Sequence, residues 1–397
     1  MPKTNYRKRK INGKEYYFYR LRQKNLITPK DLYGTTIREL EENIRQAKYK
    51  LENGINGNKE TYGTFFESWL FNVHLKDKMP STKEKYEGLW RNYIKGSKLS
   101  RMKVTDITLR DVQSFYDSLE KQGTNIKGNS IIPTIKNIHK LIAPSIRYAY
   151  GANLIIKDFS KYIKVPAEPE KLIEDKEEVK AFTKEQQQTF IGHIAGDESE
   201  SLYLTALATG MREGELLALT WDDILWDTNQ VYVNKTVKYV SSVTTKGRGK
   251  GKYLVQPPKW CSIRKIPIPS YLVPILKQQS IKCKEQKLLV ANLWHDNNLV
   301  FPNAYGKHKD GAGLLKKFKA VLSDARLPDS FTVHSLRHTF ATRCFEMGME
   351  VKTVSKLLGH SSTAVTLETY TWVLEDLKVK AASMMDNLYN EMTKERK

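Results

Sequence analysis

Two arginines, two histidines and a phenol follow one another through the second half of this chain in an order that suits attack on a phosphodiester. Arg212 lies in Thr209-Gly210-Met211-Arg212-Glu213-Gly214-Glu215. His334 and Arg337 share His334-Ser335-Leu336-Arg337, His360 closes Leu358-Gly359-His360, and Tyr370 sits in Thr369-Tyr370-Thr371-Trp372. A lone residue of any of these types means little. Together they offer guanidinium forks for pairs of phosphate oxygens and imidazoles for moving protons. They also offer a phenolic oxygen whose ionised form neighbouring cations would stabilise.

The elements that must hold these side chains are short helices. Leu202 to Thr209 is apolar and reads as a helix ended by Gly210. Glu213 to Leu219 restarts a helix, which puts Arg212 at an elbow where backbone donors and the helix dipole already favour an anion. Glu215, one turn in, is placed to orient it; the plain alternative is a surface ion pair between Arg212 and a glutamate. In Ser335 to Met347 the apolar stripe is Leu336, Phe340, Cys344 and Met347. His334 and Arg337, three apart, share a different face, and His338 reads as structural. Val351 to Leu358 reads as a helix closed by Gly359, leaving His360 exposed. Ser361-Ser362 can cap the next helix, which carries Tyr370.

Two other readings of these residues compete. His334, His338 and His360 could hold zinc, since imidazoles at i and i+4 suit it. No acidic or cysteine ligand accompanies them, and Arg337 would repel a cation. Helix, glycine turn, helix also resembles a helix-turn-helix DNA reader, which explains neither Arg212 nor the His334 and Arg337 pair.

Composition agrees with a polyanionic partner. The formal charge is +22, from 66 basic and 44 acidic residues; a basic enzyme with a solvated surface is the bland alternative. No apolar run approaches the roughly 20 residues of a membrane helix. The basic start, Met1 to Lys10, lacks the apolar run of a signal peptide. Cys261, Cys283 and Cys344 are too widely spaced for a disulfide framework or a metal site, so a reducing, cytoplasmic setting is expected.

The chain divides by pattern into a multidomain, mainly α protein with small β-sheets. Residues 1–60 carry 15 basic against 7 acidic residues. Asn12-Gly13 is a hairpin pair, the following strand mixes aromatic with basic residues (Lys14, Arg20, Arg22), and Thr36 caps a helix marked by Leu40, Ile44, Ala47 and Leu51. This small sheet plus helix is a candidate DNA reader. Residues 61–166 read as a helical bundle, with stripes such as Phe65, Phe66, Trp69, Leu70 and Val73. Lys83, Lys85, Arg91, Lys95, Lys98, Arg101 and Lys103 crowd one stretch and are candidates for phosphate contact. Residues 167–178 read as a linker, and 179–397 as a mixed α+β unit with strands at 230–233 and 265–268. Within it, Tyr239 to Leu254 reads as an inserted hairpin whose Lys246, Arg248 and Lys250 face DNA or a neighbouring subunit; it lacks the P-loop pattern. From about residue 375, Leu377, Val379, Ala382, Met384, Met385, Leu388, Tyr389 and Met392 form an apolar tail that should dock somewhere, in cis or in trans.

Thr209-Gly210-Met211-Arg212, His334-x-x-Arg337, Leu358-Gly359-His360 and Tyr370 resemble, in order and spacing, the signature of tyrosine recombinases of the phage lambda integrase type. The whole chain fits that family, and its length and lysine-rich character are most similar to integrases of Gram-positive conjugative transposons and related integrative elements. The resemblance implies an N-terminal arm-binding unit, a helical core-binding domain and a mixed α+β catalytic domain. It implies a site-specific recombinase in which Tyr370 attacks the scissile phosphate, leaving a 3′-phosphotyrosine and a free 5′-hydroxyl. Arg212, Arg337 and His360 would hold the phosphate oxygens, and His334 would assist proton transfer. The family's turn lysine maps onto Lys259 in Pro257-Pro258-Lys259-Trp260, where relatives often have Thr-Lys. Neither ATP nor a metal is implied. A tetramer on two duplexes is, with tail exchange and an excisionase or DNA-bending factor as possible partners. A type IB topoisomerase shares the chemistry but not the arm-like N-terminus. A non-catalytic DNA-binding regulator would not need the complete residue set.

Overall fold

The computed structural model describes residues 6–22, 29–52, 60–168, 180–245, 247–259 and 262–370, together with Met385, Asp386, Tyr389 and Met392. The chain forms two compact units. One spans Met1–Lys171 with Ser241–Lys250; the other spans Leu172–Val240 with Gly251–Lys397. Among the described residues no helix is long and apolar enough to cross a membrane.

The first unit opens with an antiparallel meander of Arg7–Ile11, Lys14–Leu21 and Lys30–Gly34. Asn12 and Gly13 both take positive φ, 46° and 81°, as a two-residue hairpin with this twist demands. The third strand was not evident in the sequence. The helix Ile37–Glu52 follows, its Glu39 N–H donating to Thr36 Oγ1 at 3.1 Å, and buries Leu40, Ile44 and Ala47.

Residues 60–168 of this unit are mainly helical, with Tyr62–Trp69, Pro80–Leu89, Lys98–Arg101, Leu109–Glu120 and Ile132–Gly151. Aromatic rings fill their core, with Phe66 stacked on Trp90 at 5.0 Å and the buried Tyr62 hydroxyl 2.6 Å from Ser145 Oγ. Val73 corrects the sequence reading. It is 44% exposed, because Leu70–His74 is a π-helical turn closed by the Leu75 N–H to Leu70 carbonyl bond at 2.8 Å. The extra residue per turn rotates Val73 out and brings Leu75 in.

The second unit surrounds a small antiparallel sheet of Ile224–Leu225, Gln230–Val233 and Arg264–Pro267. Helices Lys184–Ile194, Glu200–Thr209, Leu272–Val290, Gly311–Asp324 and Val333–Glu346 belong to it. Its core joins Phe190, Tyr203, Leu216, Val231, Ile266, Leu276, Phe318 and Leu336. The strands Thr236–Thr244 and Gly247–Gln256 form the hairpin expected near 239–254.

Candidate active site

Glu200–Thr209 ends at Gly210, whose φ of 62° reverses the chain. Arg212 then caps the one-turn helix Glu213–Leu216, three residues shorter than its sequence pattern. Glu215 is 1% exposed. Its carboxylate accepts from the Arg212 backbone N–H and from the Arg212 guanidinium, both at 2.9 Å. A second guanidinium also reaches it: Arg264, from the strand Arg264–Pro267, donates to both oxygens at 3.2 and 2.8 Å. Burial pushes the Glu215 carboxyl up, but the Arg264 hydrogen bond and charge, with Arg212, leave it below its ordinary value.

The helix Val333–Glu346 departs from expectation. Arg337, set apart from the apolar stripe, is nevertheless 2% exposed, and Met347 is 70% exposed rather than buried. The helix is enclosed on several sides, with Ser335, Thr339 and Thr342 buried along with Leu336 and Cys344. Arg337 is therefore held by backbone: it donates to the Gly210 carbonyl at 2.8 Å and the Leu358 carbonyl at 2.7 Å. Burial and the neighbouring Arg212 charge press its guanidinium below the ordinary value.

Helix Val351–Leu358 ends at Gly359 with φ of 65°. Its last carbonyls have no helical partner. Three arginines take them in turn: Arg264 donates to Leu357 O at 2.7 Å, Arg337 to Leu358 O, and Arg212 to Gly359 O at 2.8 Å. The guanidinium groups thus converge on the negative end of a helix. Each has five N–H donors, so donors remain for an incoming anion. His360 is half-buried rather than exposed, its Nδ1 2.7 Å from Thr366 Oγ1.

Tyr370 directly follows the helix Thr363–Thr369 and is fully buried. Its ring packs on Phe345 at 5.5 Å, and its hydroxyl is 2.9 Å from His338 Nδ1. Burial raises the phenol, while Arg337 pulls it back. His338, read from sequence as structural, is the side chain found beside that hydroxyl. Its i+4 spacing from His334 was the available signal, and the two rings meet edge to face at 4.7 Å. Burial, then the His334 and Arg337 charges, hold His338 down to about 3. Burial with Arg337 and Arg212 holds His360 to about 4. Burial, then the Arg337 and Arg212 charges, hold the His334 imidazole below its ordinary value, although the residue as a whole is exposed.

Lys259 is exposed, five residues ahead of the strand bearing Arg264, and no partner for its ammonium is found among the described residues. Lys14, Arg22, Lys85 and Lys250 are exposed, Lys85 donating to Asn137 at 2.9 Å. Arg20 is paired with Asp31 at 2.7 Å, Lys83 donates to the Lys76 carbonyl, and Arg91 pairs with Glu87 at 2.8 Å. In the same unit Arg248 pairs with Glu87 at 2.9 Å and Glu84 at 3.4 Å. Lys246 lies outside the described residues, as does most of the tail; Met385, Tyr389 and Met392 are described and exposed. Among the described residues no group of His, Cys, Asp and Glu is arranged to hold a metal.

Residues 175–376 match the phage integrase family. The whole chain is similar to a tyrosine recombinase XerC-like protein of Caldanaerobacter subterraneus subsp. tengcongensis, 35% identical over 98% of this chain and 99% of the relative. The fold resembles that of the Tn1549 transposon integrase in complex with a circular intermediate DNA. There the TM-score is 0.59 at 20% identity, over 79% of this chain and 95% of the other. It also resembles a lambda integrase tetramer bound to a Holliday junction, with TM-score 0.53 at 18% identity over 89% and 95% of the two chains. The chain belongs to the phage integrase family of tyrosine recombinases: it is a DNA cutting-and-joining enzyme for site-specific recombination.

Proposed function

We propose that this recombinase integrates and excises a mobile element, with Tyr370 as nucleophile. The observation that carries the reading is the convergence of Arg212, Arg337 and His360 at the Leu358-Gly359-His360 turn, in the same unit as a phenol that has a neighbouring imidazole. The Tyr370 oxygen attacks phosphorus, the bond to the 5′-oxygen breaks, and Lys259 supplies the proton that oxygen needs. Arg212, Arg337 and His360 hold the non-bridging oxygens and stabilise the added charge, and His334 assists proton transfer. The phosphotyrosine retains the energy of the broken bond, so a partner strand's 5′-hydroxyl can reverse the step without ATP or a metal.

In this reading residues 1–60 engage an arm site and 61–166 the core site, joined through 167–178 to the catalytic domain, 179–397. Two linked sites would raise apparent affinity without new contacts. Lys14, Arg20, Arg22, Lys83, Lys85, Arg91, Lys246, Arg248 and Lys250 are the proposed DNA contacts. Those held in ion pairs, Arg20, Arg91 and Arg248, must trade a carboxylate for a phosphate on binding. A tetramer on two duplexes, assembled through exchange of the tail from about residue 375, and an excisionase or bending factor that sets direction, complete the proposal.

The test is covalent trapping. Full-length protein and Tyr370→Phe are incubated with nicked duplexes selected for binding from a random-sequence pool, in EDTA and without ATP, then run on denaturing gels. A Tyr370-dependent adduct is expected, followed by strand joining between two duplexes. An adduct that survives Tyr370→Phe sinks the nucleophile assignment.

A further inference from the structure

We propose that His338 is a positioning residue for the nucleophile: its Nδ1 accepts the Tyr370 O–H and fixes where the phenol oxygen lies. The proposal rests on Tyr370 being the nucleophile.

Tyr370 caps the C-terminal end of the helix Thr363–Thr369, with φ of −117° and ψ of 23°. A ring there is not fixed in direction by helical neighbours on both sides. The ring packs on Phe345 within an apolar cluster that includes Cys344, Val354 and Leu358. Apolar packing does not choose where a hydroxyl points, whereas a buried hydroxyl needs a partner. Among the described residues the one hydrogen-bond partner of that hydroxyl is His338 Nδ1.

His338 is itself well fixed. It sits on Val333–Glu346, one residue after Arg337, and its ring stands at 88° to the His334 ring. Arg337 on the same helix is bolted to the Gly210 and Leu358 carbonyls. One rigid element therefore carries both a phosphate clamp and the partner of the attacking oxygen. Adjacent positions on a helix set the offset between anion and nucleophile, which is how an oriented pair gains over a freely moving one. Neutrality of the imidazole fits the assigned polarity, since a protonated ring could only donate. Burial and the surrounding positive groups keep it neutral.

Packing alone would be served by leucine or phenylalanine; an acceptor at the Nδ1 position would not. Asparagine places an amide near that position. The experiment measures single-turnover adduct formation, DNA affinity and thermal unfolding for wild type, His338→Leu, His338→Asn and Tyr370→Phe, on the selected nicked duplex. The expected result is a loss on the order of 10²-fold in rate for His338→Leu, with affinity and unfolding kept and most of the rate restored in His338→Asn. A wild-type rate in His338→Leu overturns the proposal, and so does an equal loss in both His338 variants. A second measurement needs no His338 variant: ¹⁵N spectra of histidine-labelled protein should show an acceptor-type Nδ1 resonance that moves on Tyr370→Phe. An unmoved resonance also overturns it. An adduct formed by Tyr370→Phe is a different failure, since it removes the nucleophile itself.

Discussion

Arg264 grips both carboxylate oxygens of Glu215, at 3.2 and 2.8 Å, from a strand 49 positions further along the chain. Glu215 thus binds the elbow that carries Arg212 to the sheet edge, and its negative charge separates two guanidinium groups.

Removing that charge leaves two arginines side by side with nothing between them. Glu215→Gln should cost about 3 kcal/mol, as expected when one member of a buried ion network is lost. Denaturant unfolding of the full chain, followed by a probe in the second unit, checks it. The acid dependence has a definite sign. The Glu215 carboxyl lies below its ordinary value in the folded protein, so its contribution is full above about pH 4.5 and is lost as pH falls through the folded value. In Glu215→Gln that part of the acid sensitivity should vanish.

Gly359 combines a φ of 65° with contact to Arg264. A Cβ there would stand 2.8 Å from Arg264 Nη1 and 3.1 Å from its Cζ. Gly359→Ala should lose at least about 1 kcal/mol from the left-handed backbone alone. It should lose more through displacement of Arg264, and adduct formation should slow while gross DNA affinity holds. An unchanged cleavage rate would count against the role given to the three-carbonyl clamp.

His338 and His360 are held to about 3 and about 4 in the folded protein, against about 6.5 when unfolded. Stability from these groups is complete above about pH 6.5 and falls as pH drops toward 4, because the unfolded chain takes up protons that the folded one refuses. A bound phosphate reverses part of that penalty. DNA binding between pH 5 and 7 should therefore take up protons, about one or fewer per protomer, measurable by calorimetry in buffers of different ionisation enthalpy. Binding without proton exchange would contradict it.

Burial raises the Tyr370 phenol above the ordinary tyrosine value. Alkaline titration followed by tyrosinate absorbance should show no difference between wild type and Tyr370→Phe until the protein unfolds. The stabilising effect is full below about pH 10 and is lost as pH rises through the folded value. A Tyr370-specific transition below pH 10 would overturn this.

Residue types and local spacing marked Arg212, His334, Arg337, His360 and Tyr370 as candidates, because each lies at or near the start or end of a short helix. The Asn12-Gly13 hairpin and the Thr36 cap were legible for the same reason. Relationships across long separations were not. Nothing beside Arg264 announces Glu215, and nothing beside His338 announces Tyr370, 32 residues later. The burial of Arg337 was not legible either. Helical spacing only sets it apart from the apolar stripe, whereas backbone carbonyls from two other segments satisfy it inside the fold. Val73 failed because a π-turn breaks the 3.6-residue count without an obvious sequence mark.

The end of helix Val351–Leu358 has one more consequence. Arg212, Arg264 and Arg337 bring three positive charges to it, and Glu215 returns one negative charge, so the cluster stands at two net positive charges with its imidazoles neutral. A phosphodiester enters with one negative charge, and a phenolate attacking it makes a five-coordinate phosphorus bearing two. In the proposed reaction the cluster therefore exceeds the charge of the resting substrate by one and balances that of the species halfway through.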